Sequence, residues 1–142
     1  LEERLRFASM EPPFRKAGTR FRVARVFNVF GPGQHEQFLV PTILRQLRLG
    51  PHVTLGELHH ARDYVYLDDV VSGILKILEV RGAGFELFNL GSGHSADVAA
   101  ILKILESHLR FEIRVTSDSD RGRPEEPTAE VANISKIRGL GW

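Results

Sequence analysis

FRVARVFNVFGPGQ, residues 21–34, is the stretch on which the reading of the fold turns. From Phe21 to Phe30 the residues alternate and Val and Phe dominate, the period-two pattern of a strand. Gly31-Pro32-Gly33 ends the run in a turn. Upstream, residues 1–10 (LEERLRFASM) carry apolar positions at 1, 5 and 7 between charges. They read as the tail of a helix stopped by Pro12-Pro13, since proline donates no backbone hydrogen bond and restricts its predecessor. Downstream, Leu39, Val40, Ile43, Leu44 and Leu47 mark one face of a helix running to Gly50. Residues 53–55 and 63–67 (DYVYL) are further strands.

The pattern continues to the end. Asp68 or Asp69 is placed to cap a helix whose apolar face is Val70, Val71, Ile74, Leu75 and Leu78. Residues 85–90 (FELFNL) form a strand, and Gly91-Ser92-Gly93 turns it into a helix striped by Val98, Ile101, Leu102, Leu105 and Leu109. Residues 111–116 (FEIRVT) are the last strand, and 117–130 read as a polar extended loop. A short helix spans 133–140, capped by Asn133 or Ser135. Strands alternating with helices mean an α/β chain.

Composition narrows the function classes. The 142 residues are 42% hydrophobic and carry 19 bases against 18 acids. That suits one globular domain and excludes a disordered tail. A net charge of +1 argues against nucleic acid as a partner, which calls for a basic face. Residues 1–50 hold nine bases and four acids and the rest ten and fourteen, an asymmetry compatible with an anionic ligand on one side. Charged and amide residues break every apolar run, so no membrane span is expected. The lack of cysteine fits a reducing compartment, and a cytoplasmic location is expected. Without an initiator Met or a basic-then-apolar leader, the chain reads as cut from something longer.

Several residues invite chemistry. Gly91-Ser92-Gly93-His94-Ser95-Ala96 has the form G-x-G-x-x-A after a strand, with Asp118 further on, and could cradle the pyrophosphate of a dinucleotide. The same glycines could simply make a tight turn, with Ser95 as helix cap. His59-His60 are adjacent and point apart, so no metal site is expected. Asp68-Asp69 suit the positive end of a helix better than an acid/base pair. No Ser or Cys sits in a nucleophile-elbow context. Arg25–Gln34, residues 56–70 (GELHHARDYVYLDDV) and Arg121-Gly122-Arg123-Pro124-Glu125 place Asn and Arg at strand ends and on a loop. Such groups hold a diphosphate through charge-assisted hydrogen bonds.

Taken together, six landmarks carry a resemblance: RVFNVFGPGQ (25–34), VPTILRQL (40–47), RDYVYLDDVV (62–71), FNLGSG (88–93), RP-x-E (123–126) and ISKIRGLGW (134–142). From Arg22 to Trp142 the chain resembles the C-terminal part of the extended short-chain dehydrogenases/reductases, the NAD-dependent epimerase/dehydratase family acting on nucleotide sugars. The resemblance implies a single partial domain, with 1–34 the end of the Rossmann part and 35–142 mainly the substrate-binding part. One or more Rossmann-sheet strands would be present, and the N-terminal cofactor-binding units absent. It implies a parent enzyme of the GDP-mannose 4,6-dehydratase or UDP-glucose 4-epimerase type, using NAD or NADP, binding a nucleotide diphosphate sugar and assembling as a homo-oligomer.

By position, Asn28 would hydrogen-bond the diphosphate, Arg62 and Arg123 would clamp its phosphates, and Phe27 would lie against the nicotinamide. Val40, Gly56 and Glu57 would line the nucleotide pocket. The polar tips of Asn28, Arg62 and Arg123 should then converge on a space roughly 6–10 Å across. FNLGSG falls in the substrate half of the family, which leaves the cofactor's glycine-rich turn elsewhere. Two departures stand out. The Tyr-x-x-x-Lys acid/base pair is absent: Asp68 and Val70 stand four residues after Tyr64 and Tyr66, so no catalytic residue is assigned. Glu57 stands where GDP-mannose dehydratase-like members carry Asn, and a carboxylate there would repel a phosphate or bind a base edge. Other functions compatible with these residues are a non-catalytic nucleotide-binding or regulatory module and dinucleotide binding at Gly91–Ala96.

Overall fold

A computed structural model describes residues 18–56, 58, 60–117 and 129–142. The expected helix tail at 1–10, together with Glu57, His59, Asp118, Arg121 and Arg123, lies outside the described residues. The elements run β1 (Arg20–Val26), β2 (Asn28–Phe30), α1 (Leu39–Leu47), β3 (His52–Leu55), β4 (Tyr64–Tyr66), α2 (Leu67–Glu79), β5 (Gly84–Leu90), α3 (Val98–Leu109), β6 (Arg114–Ser117) and α4 (Ser135–Arg138). The α/β class is as the sequence pattern predicts.

The strands form three parallel pairs. β1 lies on β5 with Arg20 opposite Gly84, β2 on β4 with Asn28 opposite Tyr64, and β3 on β6 with His52 opposite Arg114. Parallel pairs need long crossovers, which is why every partner is distant in sequence. The run from Phe21 to Phe30, expected to be one strand, is two. The amide of Phe27 still donates to the Leu90 carbonyl at 2.9 Å, whereas the Asn28 amide donates to that of Asp63 at 3.1 Å. The backbone changes partner strand between those two residues.

Two cores result. The first packs Val65, Val70, Ile77, Phe88, Leu90, Ala132, Ile134 and Ile137 between β4, β5, α2 and α4. The second packs Ile43, Val53, Leu55, Val98, Leu102 and Ile113, with α1 and α3 on the β3/β6 pair. Val53 and Leu55 are buried while His52 and Thr54 face out, the alternation of a half-buried strand. Gln46 of α1 covers the β3 edge: its Nε2 donates to the Thr54 carbonyl at 3.1 Å and its Oε1 accepts from the Thr54 amide at 2.8 Å. Burying each large side chain such as Phe88 or Ile43 stabilises by about 1.5–3 kcal/mol.

Three caps differ from expectation. α2 begins at Leu67 with Tyr66 at the cap position, so Asp68 and Asp69 lie in the first turn. There they favour the positive helix end without bonding as caps. α3 is capped by Asp97, which accepts from the Ala100 amide at 2.8 Å, and Ser95 lies outside the helix. At α4, Asn133 Oδ1 accepts from the Ser135 amide at 3.1 Å, but Ile134 holds the cap position. Among the described residues no helix is long and apolar enough to cross a membrane.

Candidate functional site

The change of partner strand at Phe27 creates the site. It brings Asn28 to the start of β2, beside the start of β4, where the Asn28 side chain donates to the Asp63 carbonyl at 3.3 Å. Asn28 and Phe30 face the same side as their partners Tyr64 and Tyr66, and the Phe30 and Tyr66 rings meet at 5.4 Å between centroids. Phe27, Asn28, Leu39, Val40 and Tyr64 line a cleft of about 670 Å³. A second, more apolar cleft of about 710 Å³ opens beyond the 31–34 turn, against Leu44, Tyr66, Ile101 and Ile104.

Tyr64 lines both clefts. Burial pushes its phenol above the ordinary value of 10.0, and the neighbouring Arg62 guanidinium partly opposes the shift. Two residues apart on an extended segment, Arg62 and Tyr64 share a face.

Arg62 is bracketed on its backbone by Ala96: its amide donates to the Ala96 carbonyl at 3.0 Å and its carbonyl accepts from the Ala96 amide at 2.9 Å. Its side chain is only 14% exposed, with Nε 3.9 Å from Glu130 Oε2 and Nη1 donating to the Ala61 carbonyl at 3.2 Å. Arg62 therefore turns toward a carboxylate of its own chain instead of lining the two large clefts. Glu130 itself borders a smaller hollow that includes Arg25, Phe27 and Asn28.

Asp63 is the residue that sequence reasoning passed over. It is 0% exposed, the one buried charged side chain among the described residues. Its Oδ1 accepts from the Ser92 amide at 2.6 Å and the Ser92 hydroxyl at 2.7 Å; its Oδ2 accepts from the Gly93 amide at 2.9 Å and the Ala132 amide at 3.0 Å. Four donors offset the cost of burying the charge. Nothing local flags this role, because the donors lie in two segments far downstream.

That arrangement corrects the dinucleotide reading of Gly91–Ala96. The Ser92 and Gly93 amides that would hold a pyrophosphate are bonded to Asp63. The turn does not open the next helix, which starts later at Val98. Gly91 is required for close approach: a Cβ there would lie 2.5 Å from that of Ala132 and 2.9 Å from Asp63 Oδ2. Gly56 sits past β3, its carbonyl accepting from the Ser117 hydroxyl at 3.3 Å, and lines neither large cleft. No group of three or more metal-ligating side chains occurs among the described residues.

A family model described as "NAD dependent epimerase/dehydratase family" matches residues 10–91. The chain belongs to that family. Within this NAD-dependent epimerase/dehydratase family it is similar to GDP-6-deoxy-D-mannose reductase of Pseudomonas aeruginosa, with 29% identity over 132 residues, covering 88% of this chain and 43% of that protein. It is also similar to the structure of RMD from Pseudomonas aeruginosa complexed with NADPH, at a TM-score of 0.77 and 26% identity over 87% of this chain and 43% of that one. UDP-glucuronic acid 4-epimerase from Bacillus cereus, in complex with UDP-glucuronic acid and NAD, matches at a TM-score of 0.73 and 27% identity, over 86% of this chain and 39% of that one. The chain thus spans less than half the length of these relatives.

Proposed function

We propose that this chain is the nucleotide-sugar-binding part of an NAD(P)-dependent epimerase, dehydratase or reductase. The observation that carries the reading is the meeting of Asn28 and the Arg62–Tyr64 segment through the Asp63 carbonyl, beside a cleft that Phe27 and Val40 also line. An amide donor and a guanidinium on adjacent strand starts suit a diphosphate, the group shared by all nucleotide sugars. Arg62 holding Glu130 fits a cation kept neutralised by its own chain until an anion replaces that carboxylate. In this reading Arg123 adds a second cation, and Glu57 is the residue assigned to the base. Residues 35–142 are mainly the substrate part, and β1 and β5 are the strands shared with the cofactor part.

The residues present do not make a complete cofactor site. Phe27 offers a face for the nicotinamide, but the Gly91–Ala96 turn has its amides on Asp63 and no Tyr-x-x-x-Lys exists in the sequence. Hydride transfer and its proton relay are accordingly assigned to the rest of the parent protein, a cytoplasmic homo-oligomer in this proposal. Titration calorimetry of the chain with UDP, GDP, CDP and dTDP tests the reading. Saturable binding of at least one, lost on Arg62→Ala, is the expected result; heats of dilution alone with all four would overturn it.

A further inference from the structure

We infer that Asp63 is a positioning residue for the diphosphate site, holding both Asn28 and Arg62 in place without touching the ligand. This rests on the function proposed above. The main-chain carbonyl of Asp63 accepts from both the amide and the side chain of Asn28, at 3.1 and 3.3 Å. The Asp63 carboxylate holds the two segments that enclose Arg62. One runs from Ser92 and Gly93, bonded to the carboxylate, to Ala96, which pairs with the Arg62 backbone. The other contains Ala132, bonded to Oδ2, and Glu130, which meets the Arg62 side chain and whose amide donates to the Ala61 carbonyl at 3.2 Å.

The chemistry requires a carboxylate. Both oxygens accept two hydrogen bonds each, three of the four from main-chain amides, so an amide in this place would set its NH₂ against at least one main-chain N–H whichever way it turned. Replacing a buried ionic group by a well-packed apolar one of similar volume is often neutral or stabilising. What an apolar side chain cannot do is fix the register of the 92–93 turn and the 130–132 segment against the residue that follows Arg62. The carboxylate therefore sets geometry, and the geometry it sets is that of the two groups proposed to meet the diphosphate.

The test uses the 142-residue chain, its Asp63→Asn, Ser92→Ala and Ser92→Thr variants, and the four nucleoside diphosphates as probes. Calorimetry gives affinity, and amide spectra follow the Arg62 Nε–H and Asn28 side-chain resonances. Asp63→Asn should weaken binding about tenfold or more, the scale of one lost charge-assisted bond, and shift both resonances. Ser92→Ala should weaken binding several-fold, and Ser92→Thr, which keeps the hydroxyl, should restore it. An Asp63→Asn chain that melts earlier yet binds with unchanged affinity where it is folded overturns the proposal. Should Asp63→Asn not fold, unchanged affinity and resonances in Ser92→Ala overturn it instead. Should the unaltered chain bind none of the four, the function proposed above falls. Asp63 is then judged by the resonances alone: unmoved Arg62 and Asn28 signals overturn its positioning role.

Discussion

Asn28 makes two hydrogen bonds to one acceptor, the main-chain carbonyl of Asp63, with its amide and its side-chain nitrogen. The side-chain bond orients the amide group and uses one of its two N–H donors, in a residue that lines the cleft. Asn28→Asp replaces the donor by a second anion beside a carbonyl and faces any phosphate with like charge. It should weaken nucleoside diphosphate binding by about tenfold or more. Asn28→Ala should weaken it less and cost about 0.5–1.5 kcal/mol of stability. Calorimetry and denaturant titration measure the two quantities, and an Asn28→Asp chain binding as well as the unaltered one would contradict the assignment.

Gly91 has no room for a side chain. A methyl there meets the Ala132 methyl, part of the first core, and the buried Asp63 carboxylate. Gly91→Ala should lower unfolding free energy by about 1–3 kcal/mol, the usual range for overpacking. Urea unfolding checks the figure; a variant as stable as the parent would mean that the turn yields freely.

Tyr64 should ionise late. Its phenol is shifted upward by burial, so the folded state keeps the proton to higher pH than the unfolded state. The stability tied to that proton is present in full below pH 10 and is lost as pH rises through the folded-state value. Phenolate absorbance followed through an alkaline titration should show a late phase that Tyr64→Phe abolishes. A Tyr64→Phe chain with the same absorbance course would refute the shift.

The outer face of α2 is apolar. Leu67, Val71, Ile74, Leu75 and Leu78 recur at helical spacing, with Leu75 57% and Leu78 69% exposed. Beside them β1 pairs with β5, and among the described residues no other strand pairs with β1. Open edges and apolar patches promote association. The chain should self-associate in sedimentation or bind a hydrophobic dye, and Leu75→Lys with Leu78→Glu should reduce both. A sharp monomer boundary with negligible dye binding would count against this.

Given NAD or NADP and any nucleotide sugar, the 142-residue chain should produce no ketone or reduced cofactor. A proton acceptor near the reacting hydroxyl is required for hydride to leave, and the sequence holds no Tyr-x-x-x-Lys. Product above a protein-free control would sink the proposed division of labour.

Much of this was legible in the chain itself. Wherever one face is buried and the other wet, as in β3 or α1, periodicity marks the element. The family landmarks then order the elements. The break at Phe27 was not legible, because FRVARVFNVF is one continuous strand pattern and the switch is imposed by the carbonyls of Leu90 and Asp63. The Asp68-Asp69 pair has the sequence of a cap, but the helix starts at Leu67 with Tyr66 in the cap position, two residues before Asp68. Asn28 stands out as a hydrogen-bonding group at a strand end and Val40 through the resemblance, and both line the cleft. Asp63 was not legible, since its meaning lies in donors at 92, 93 and 132. Arg123 and Glu57 lie outside the described residues.

The three parallel ladders bear on how the chain reaches this state. Arg20 waits for Gly84, His52 for Arg114, and among the described residues no hairpin offers an early local pairing. Loop closure must precede any strand contact, so folding is slow for a chain of this size. Ala132, Ile134 and Ile137 close the first core from the far end, so β1, β4 and β5 remain incompletely covered until residues 132–137 have been made. Strands made early thus wait uncovered for the segment that closes their core, a demand for chaperone protection written into the topology.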